Sequence, residues 1–201
     1  MRAVFLDRDG VINHNRPDHV KNWEEFQFLP GALTALRLLS QTGYRIFIIT
    51  NQAAVGRGLI SIATLEQIHA RLRAIAAYHG AQIEDIRYCP HRPEEQCRCR
   101  KPQPGMLEDL AARYRIDCRQ AYLVGDALSD IAAGKQMGCQ TILVKSGRGT
   151  DELRKPELRR YQPDHIASDL LDAARWILVE ETTRAPTVAL PLAAGTLMAP
   201  Q

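Results

Sequence analysis

The chain has 201 residues, of which 45% are hydrophobic and 24% charged, a balance typical of one soluble globular domain with its own core. The formal net charge is +3, and the 26 basic residues are interleaved with 23 acidic ones, so the composition does not predict a nucleic-acid-binding arm. Because we find neither a signal peptide nor the roughly 20 consecutive apolar residues of a membrane span, we expect a cytoplasmic protein whose partners include neither nucleic acid nor membrane.

Apolar runs typical of buried strands alternate along the chain with patterns typical of amphipathic helices. The predicted strands are residues 2–6, 44–50, 83–88, 121–125 and 140–145. The helices predicted between and after them begin at Pro30-Gly31, at a capping box of Thr64 with Gln67, near Leu107, at Ser129 and at Ser168. Continuous apolar strands that alternate with helices predict an α/β fold with a doubly wound, mostly parallel, Rossmann-like sheet.

Two segments interrupt this alternation. Residues 89–104, CPHRPEEQCRCRKPQP, combine four prolines with three cysteines and are too long for an ordinary connection. Residues 181–201 carry three prolines and little periodicity, and we expect a disordered tail there. The other connections are too short to contain a large cap domain. We therefore predict a single domain over residues 1–180, monomeric, with an unusual loop at 89–99.

Acidic residues follow two of the predicted strands, at the edge where parallel strands end. The first strand runs into Asp7 and Asp9, and the fourth runs into Asp126. Carboxylates this close together are unfavourable unless a cation or a proton lies among them, and such oxygen ligands suit Mg²⁺. We expect Asp7, Asp9 and Asp126 to form a magnesium site. Asp130 is compatible both with stabilising the start of the following helix and with a role near the metal.

The same edge holds the groups that hydrolysis of a phosphate ester requires. Asp7 is placed to attack phosphorus and form an aspartyl-phosphate, and Asp9 to protonate the leaving oxygen and then to activate water. Lys101, which the long third connection delivers, can offset the charge that develops on the transferred oxygens. The Thr50 hydroxyl and the Asn51 amide can donate hydrogen bonds to the same oxygens. These residues predict a magnesium-dependent phosphatase.

The cysteine-rich segment contains four residues that can hold a second metal. Cys89, His91, Cys97 and Cys99 form a C-x-H-x5-C-x-C pattern, and thiolate and imidazole are the ligands of tetrahedral structural zinc. Four protein ligands leave no position for water, so we expect a structural Zn²⁺ that orders the loop. The other histidines are expected at the surface or in a substrate loop; they are His14, His19, His69, His79 and His165.

Four motifs in chain order resemble those of the haloacid-dehalogenase-type phosphatases: DRDGVIN, ITNQ, RKP and VGDALSD. The loop CPHRPEEQCRCRKP narrows the resemblance to the subgroup that contains the D-glycero-D-manno-heptose 1,7-bisphosphate and histidinol-phosphate phosphatases. The resemblance covers residues 2–178 and implies that Asp7 is the nucleophile and Asp9 the general acid and base. It also implies that magnesium is held by the Asp7 carboxylate, the main-chain carbonyl of Asp9 and the Asp126 carboxylate.

The resemblance favours a sugar bisphosphate as substrate and indicates the residues that would contact it. These are Asn15, Arg16, Asp18, His19, Asn51, Gln52, Ala53, Arg100 and Lys101. His19 and Ala53 stand where heptose enzymes commonly have a tyrosine and a serine, so histidinol phosphate or another small phosphomonoester is an alternative. A zinc-stabilised binding module without catalysis is a second alternative. A nucleic-acid 3′-phosphatase is a third, disfavoured because we find no basic face with interleaved aromatic residues.

Overall fold

The computed structural model describes residues 1–184, and in this part of the chain six strands form one parallel sheet. The strands are β1 (Ala3–Leu6), β2 (Arg45–Asn51), β3 (Ile83–Cys89), β4 (Ala121–Gly125), β5 (Gln140–Val144) and β6 (His165–Ala167). Their order across the sheet is β3-β2-β1-β4-β5-β6, and every neighbouring pair is parallel. The five predicted strands are confirmed. The sixth was missed because three residues are too few to show a strand pattern.

Within residues 1–184, seven helices connect and follow the strands. They are α1 (Ala32–Gln41), α2 (Ala53–Gly56), α3 (Ile62–Tyr78), α4 (Gly105–Tyr114), α5 (Leu128–Met137), α6 (Gly149–Glu152) and α7 (Leu170–Arg184). Short 3-10 turns lie at Pro93–Glu95, Cys118–Gln120 and Pro156–Arg159. Helix α7 extends past the predicted domain end at residue 180, and the rest of the predicted tail lies outside the described residues. No helix within residues 1–184 is long and apolar enough to cross a membrane.

Three of the predicted helix starts, those of α3, α5 and α7, are wrong by one to three residues. Helix α3 is capped by Ser61, whose hydroxyl accepts a hydrogen bond from the Thr64 amide at 3.0 Å, so Thr64 lies inside the first turn. Helix α7 follows Asp169, whose carboxylate accepts from the Asp172 amide at 2.9 Å, and Ser168 precedes that cap. In α3 and α7 the capping residue is the one whose side-chain oxygen reaches the amide three residues later.

Helices cover both faces of the sheet. On one face Val4 and Leu6 of β1 belong to an apolar core built with α1, α3 and α7. On the other face Ala3 and Phe5 belong to a second core built with α4 and α5. The doubly wound sheet is thereby confirmed. No cap domain is inserted in the described residues, since segments 7–31 and 90–104 return directly to α1 and α4.

The strand order places two acid-bearing strand ends side by side. The chain winds outward from β1 in both directions, so the sheet has its topological switch point between β1 and β4. The Asp7 amide donates to the Val124 carbonyl at 2.9 Å, which continues the pairing of these two strands to their last residues. Loops diverge from this point, and the crevice they leave at the carboxyl ends is where ligands bind in open α/β sheets.

Candidate active site

A polar cavity of about 410 Å³ lies at the carboxyl ends of β1, β2 and β4. Its walls come from the loops that follow these strands and from the loops before α4 and after β5. The lining residues are Asp7, Asp9, Asn15, Arg16, Pro17, His19, Thr50, Asn51, Ala53, Arg100, Lys101, Ser129, Asp130 and Arg148. A larger groove of about 690 Å³ beside β6 is lined by basic, apolar and amide side chains without a carboxylate or a hydroxyl. Because the carboxylates and hydroxyls line the smaller cavity, it is the candidate active site.

Two carboxylates that line this cavity, Asp7 and Asp130, meet a third one, Asp126, which is fully buried behind the cavity wall. Asp7, Asp126 and Asp130 each place an oxygen within 4.8 Å of the others. Burial, together with the neighbouring carboxylates, raises the pKa of Asp7 to about 6 despite the attraction of Lys101. Burial and the charge of Asp7 raise the pKa of Asp126 to about 7. The predicted meeting of Asp7 with Asp126 is present, and their mutual repulsion makes this a site for positive charge.

Lys101 supplies one of the compensating charges. Its ammonium lies 3.0 Å from Asp7 Oδ1 and 2.6 Å from Asp130 Oδ1, and it donates to the Ile49 carbonyl at 2.7 Å. Burial opposes the charged form, but Asp130 and Asp7 outweigh it and raise the pKa of Lys101. Together with the Arg148 guanidinium, 3.4 Å from Asp126 Oδ1, the ammonium places two positive charges against three carboxylates and leaves an excess of negative charge. The cluster offers hard oxygen ligands in excess of its cations, and this fits a bound Mg²⁺.

Asp130 stabilises the start of helix α5 and also belongs to the carboxylate cluster. Helix α5 begins at Leu128, one residue before its predicted cap Ser129, which corrects that prediction. Asp130 Oδ2 accepts a hydrogen bond from the Ala127 amide at 3.0 Å and so stabilises the helix start. Its other oxygen holds Lys101 within the carboxylate cluster. Ser129 lines the cavity instead of capping the helix.

The side chain of Asp9 lies apart from this cluster. Its carboxylate pairs with the Arg8 guanidinium at 2.9 Å and accepts hydrogen bonds from Asn13 at 2.8 Å and Gln52 at 2.7 Å. Burial would raise the pKa of Asp9, but Arg8 and the two amides outweigh burial and hold it below the usual 3.8. The expectation that a cation separates the carboxylates of Asp7 and Asp9 is therefore corrected. The neighbouring arginine, rather than a metal, balances the charge of the Asp9 side chain.

The predicted substrate residues divide into two groups. Asn15, Arg16, His19, Asn51, Ala53, Arg100 and Lys101 line the cavity. Asp18 does not, because it pairs with Arg16 at 3.1 Å and Lys21 at 2.6 Å on the exposed side of its loop. Gln52 does not either. It is only 2% exposed, and its amide donates to both Asp9 and Thr50.

Arg148 lines the cavity and was missed by the sequence analysis. Its backbone amide donates to Asp126 Oδ2 at 2.8 Å, and its guanidinium lies 3.4 Å from Asp126 Oδ1. It follows β5 in the stretch SGRG at residues 146–149. A basic residue between glycines at the carboxyl end of a parallel strand is a usable indication of a phosphate-facing loop.

The four predicted zinc ligands converge in one cluster next to the cavity. Cys97 Sγ lies 3.4 Å from Cys89 Sγ and 3.3 Å from Cys99 Sγ, and His91 Nδ1 lies 3.3 Å from Cys99 Sγ. Burial opposes the Cys97 thiolate, but hydrogen bonds from the other two thiols outweigh it and lower the pKa of Cys97 to about 7. Two sulfurs on a tetrahedral zinc ion lie about 3.8 Å apart given Zn–S bonds of about 2.3 Å. The cluster therefore fits a zinc ion with little rearrangement.

The cysteine cluster is connected directly to the cavity. Arg100 follows the last cysteine and donates to the His91 carbonyl at 3.3 Å. The next residue, Lys101, exchanges two hydrogen bonds with the Asn51 side chain, through its backbone amide at 3.1 Å and its carbonyl at 3.0 Å. Any ion that orders the cluster therefore also fixes where Arg100 and Lys101 enter the cavity.

Comparisons with known proteins agree with this geometry. A HAD-hydrolase-like family model matches residues 98–173. The D-glycero-β-D-manno-heptose-1,7-bisphosphate 7-phosphatase of Pseudomonas putida is 44% identical over 77% of this chain and 89% of its own length. The corresponding α-heptose enzyme of Photorhabdus laumondii is 38% identical over 76% and 87%. A similar solved structure is the crystal structure of a D,D-heptose 1,7-bisphosphate phosphatase from Bordetella bronchiseptica, complexed with magnesium and phosphate. It superposes on this chain with a TM-score of 0.85 at 38% sequence identity, and the match covers 90% of this chain and 99% of that one.

Proposed function

The chain belongs to the family of the heptose-1,7-bisphosphate 7-phosphatases, which are HAD-type phosphomonoester hydrolases, and we propose that it removes the C7 phosphate of D-glycero-D-manno-heptose 1,7-bisphosphate. The observation that carries the proposal is the contact of Lys101 with Asp7 and Asp130, in a chain 38% identical to an enzyme crystallised with magnesium and phosphate. Buried acids around one ammonium form a site that a phosphoryl group and a divalent ion complete.

The Asp7 and Asp126 carboxylates, together with the main-chain carbonyl of Asp9, are the groups that we assign to Mg²⁺. The bound ion would neutralise phosphate oxygens and so make phosphorus easier to attack. The raised pKa values of Asp7 and Asp126 support this assignment, because a divalent cation offsets the burial and the repulsion that raise them. Lys101 then adds a fixed positive charge beside the attacking carboxylate of Asp7. The Thr50 hydroxyl and the Asn51 amide orient the phosphate oxygens.

The reaction proceeds in two displacements. In the first, an Asp7 carboxylate oxygen forms a bond to phosphorus while the bond from phosphorus to the sugar oxygen breaks. Asp9, which is ionised in the free protein, takes up a proton as the phosphate monoanion binds and gives that proton to the leaving oxygen. In the second, Asp9 takes a proton from water, whose oxygen forms a bond to phosphorus as the Asp7–phosphorus bond breaks. The products are the sugar monophosphate, inorganic phosphate and the regenerated enzyme.

The sugar and its second phosphate are assigned to the residues that line the outer cavity. Arg16, Arg100 and Arg148 supply guanidinium groups, which suit a phosphate in bidentate geometry. Asn15 and His19 supply polar groups for sugar hydroxyls. Asp18 and Gln52 are not assigned to the sugar, because their side chains lie outside the cavity wall.

We assign a structural Zn²⁺ to Cys89, His91, Cys97 and Cys99. The support is a set of four soft or borderline ligands within 4.8 Å of one another, which is a complete tetrahedral shell. The ion would order a loop that has little apolar surface of its own and would thereby position Lys101. The monomeric state and the cytoplasmic location expected from the sequence stay predictions.

Steady-state kinetics with purified protein test the proposal. We expect the highest kcat/KM on heptose 1,7-bisphosphate, with histidinol phosphate and a 3′-phosphorylated oligonucleotide far lower, and loss of activity in EDTA that Mg²⁺ restores. Both anomers are compared, since relatives named for the α and the β anomer are both similar to this chain. Asp7→Asn should abolish turnover, whereas Asp151→Asn, at an exposed position away from the cavity, should not. A preference for histidinol phosphate, or full turnover by Asp7→Asn, would refute the substrate or the nucleophile respectively.

A further inference from the structure

Arg8 is a fully buried cation whose side chain holds the proposed acid and base. None of the Arg8 side chain is exposed to solvent. Its Nε lies 3.2 Å from Asp9 Oδ1, and its Nη2 lies 2.9 Å from each oxygen of that carboxylate. Nη2 also donates to Gln52 Oε1 at 3.1 Å, and the guanidinium carbon lies 5.9 Å from the centre of the Phe26 ring. The remaining nitrogen, Nη1, points away from Asp9.

His69 of α3 is the partner of that remaining nitrogen. Its Nε2 lies 3.1 Å from Arg8 Nη1, and because a guanidinium only donates, Nε2 is the unprotonated acceptor. The proton is therefore on Nδ1, which is buried and has no hydrogen-bond partner among the described residues. Burial and the charge of Arg8 lower the pKa of His69 to about 3, which keeps the ring neutral. The buried Nδ1–H without a hydrogen-bond partner costs free energy, while Nε2 accepts the hydrogen bond of Arg8.

We propose that His69 is a positioning residue for catalysis: by accepting the hydrogen bond of Arg8 Nη1, it fixes the guanidinium that aims the Asp9 carboxylate. This inference rests on the proposed phosphatase activity and adds to it a residue on a helix outside the four motifs. The order of contact is His69 to Arg8 to Asp9, with Asn13 and Gln52 holding the carboxylate from its other sides. No part of His69 touches the substrate cavity.

In kcat/KM the consequence appears only where the leaving group needs a proton from Asp9, because Asp9 acts as a base on water only after the phosphoenzyme has formed. An alkoxide leaving group such as a sugar oxygen is a strong base and must be protonated as its bond to phosphorus breaks. Nitrophenolate is a weak base and leaves without that proton. Without the acceptor at position 69, Nη1 becomes an unpaired buried donor. The Arg8 guanidinium then shifts toward another acceptor, and the Asp9 carboxylate, which is hydrogen-bonded to it, shifts as well. Small displacements of a catalytic group cost substantial rate, and here the cost falls on alkyl esters.

Two substrates and three variants test the inference. We compare kcat/KM for heptose 1,7-bisphosphate and for p-nitrophenyl phosphate in the wild type and in His69→Leu, which removes the acceptor. We expect His69→Leu to lose at least about tenfold on the sugar phosphate, within the contribution of general acid catalysis, and to change within about twofold on the aryl ester. His69→Gln, whose amide oxygen can take the place of Nε2, should restore the wild-type ratio. His69→Asn, too short to reach Arg8, should behave like His69→Leu and replaces it if the leucine variant does not fold.

Leu72→Ala is the matched control for lost packing, because Leu72 is equally buried on the same helix. It should lower thermal stability while leaving the ratio of the two substrates unchanged. Equal losses on both substrates in His69→Leu, or no loss on either, would overturn the positioning role. If the wild type hydrolyses another alkyl phosphate better than the heptose bisphosphate, the proposed substrate fails, and the ratio is then measured with that alkyl phosphate.

Discussion

Lys101 Nζ lies 3.0 Å from Asp7 Oδ1, in a contact that joins the end of the cysteine-rich loop to the end of the first strand. The ammonium is also held by the Ile49 carbonyl, and the Lys101 backbone is held by Asn51. Two residues of β2, Ile49 and Asn51, therefore hold the lysine in place, while its ammonium contacts Asp7 at the end of β1. A charge fixed in this way needs no reorganisation when negative charge develops on a phosphoryl group beside Asp7.

Replacement of Lys101 should reduce turnover more than binding. Lys101→Met keeps the length of the side chain and removes the charge, so Asp7 and Asp130 lose their shared counter-ion. We expect kcat to fall by about 10²- to 10³-fold, as for loss of one electrostatic group that acts on the transition state. Stopped or continuous phosphate-release assays measure the loss. Lys135→Met, which breaks the half-exposed pair with Asp164, is the control and should retain kcat.

The zinc assignment predicts a loss of metal and of activity together. In the double variant Cys97→Ser, Cys99→Ser, the cluster keeps only two of its four ligands, which is too few for a closed tetrahedral site. We expect zinc content by elemental analysis to fall from about one equivalent per chain to near zero. Melting temperature and kcat should fall with it, because Lys101 follows the cluster directly. Cys118→Ala, at a buried cysteine outside the cluster, should keep its zinc. Unchanged zinc content in the double variant would exclude these ligands.

His69 predicts how stability depends on pH. Its pKa is about 3 in the folded protein, against about 6.5 for an ordinary histidine, so between these values the unfolded chain binds a proton that the folded chain does not. The contribution of His69 to stability is therefore complete above pH 6.5 and is lost as the pH falls toward 3. At pH 5 the loss is roughly 2 kcal/mol.

Urea unfolding at pH 7.5 and pH 5 tests this sign. The wild type should lose roughly 2 kcal/mol more than His69→Gln between the two conditions, since glutamine does not titrate. His79→Gln, at an exposed position that follows the same helix, serves as the control. A wild type and a His69→Gln variant with identical pH dependence would show that His69 is not held neutral by the fold.

The convergence of Asp7 and Asp126 was predictable because it follows from topology. Both residues directly follow buried parallel strands, and parallel strands present their carboxyl ends at one edge of the sheet. The cysteine cluster was predictable for a chemical reason, because three cysteines and a histidine in a short proline-rich segment have few uses other than metal binding. These two features depend on residue type and strand position, which the sequence shows directly.

The environment of Asp9 was not predictable in the same way. Its partners include Gln52 and, through Arg8, His69 of α3, and these residues meet only in the folded chain. The expectation that His69 lies at the surface or in a substrate loop is wrong, since His69 is 3% exposed and does not line the cavity. The sequence contained one indication of its burial. His69 falls on the buried face of α3 together with Leu65 and Leu72, at the spacing of a helix side that faces the core. A histidine on such a face needs a polar partner, and the partner here is Arg8 of the DRDGVIN motif.

Gly10 has to remain without a side chain for the cavity to keep its shape. Its φ is +86°, and a Cβ there would contact the Asp126 carboxylate, with Asp126 Cγ at 2.6 Å and Gly147 Cα at 3.1 Å. Gly10→Ala should thus displace Asp126 and weaken the apparent affinity for Mg²⁺ by at least about tenfold. Gly58→Ala is the matched control, since Gly58 also has a positive φ, of +68°, but nothing lies within 4 Å of its Cβ position. Both variants should lose about 1–2 kcal/mol of unfolding free energy from backbone strain, but only Gly10→Ala should need more Mg²⁺ for half-maximal activity. Equal magnesium requirements in the two variants would mean that Asp126 does not contribute to the metal site.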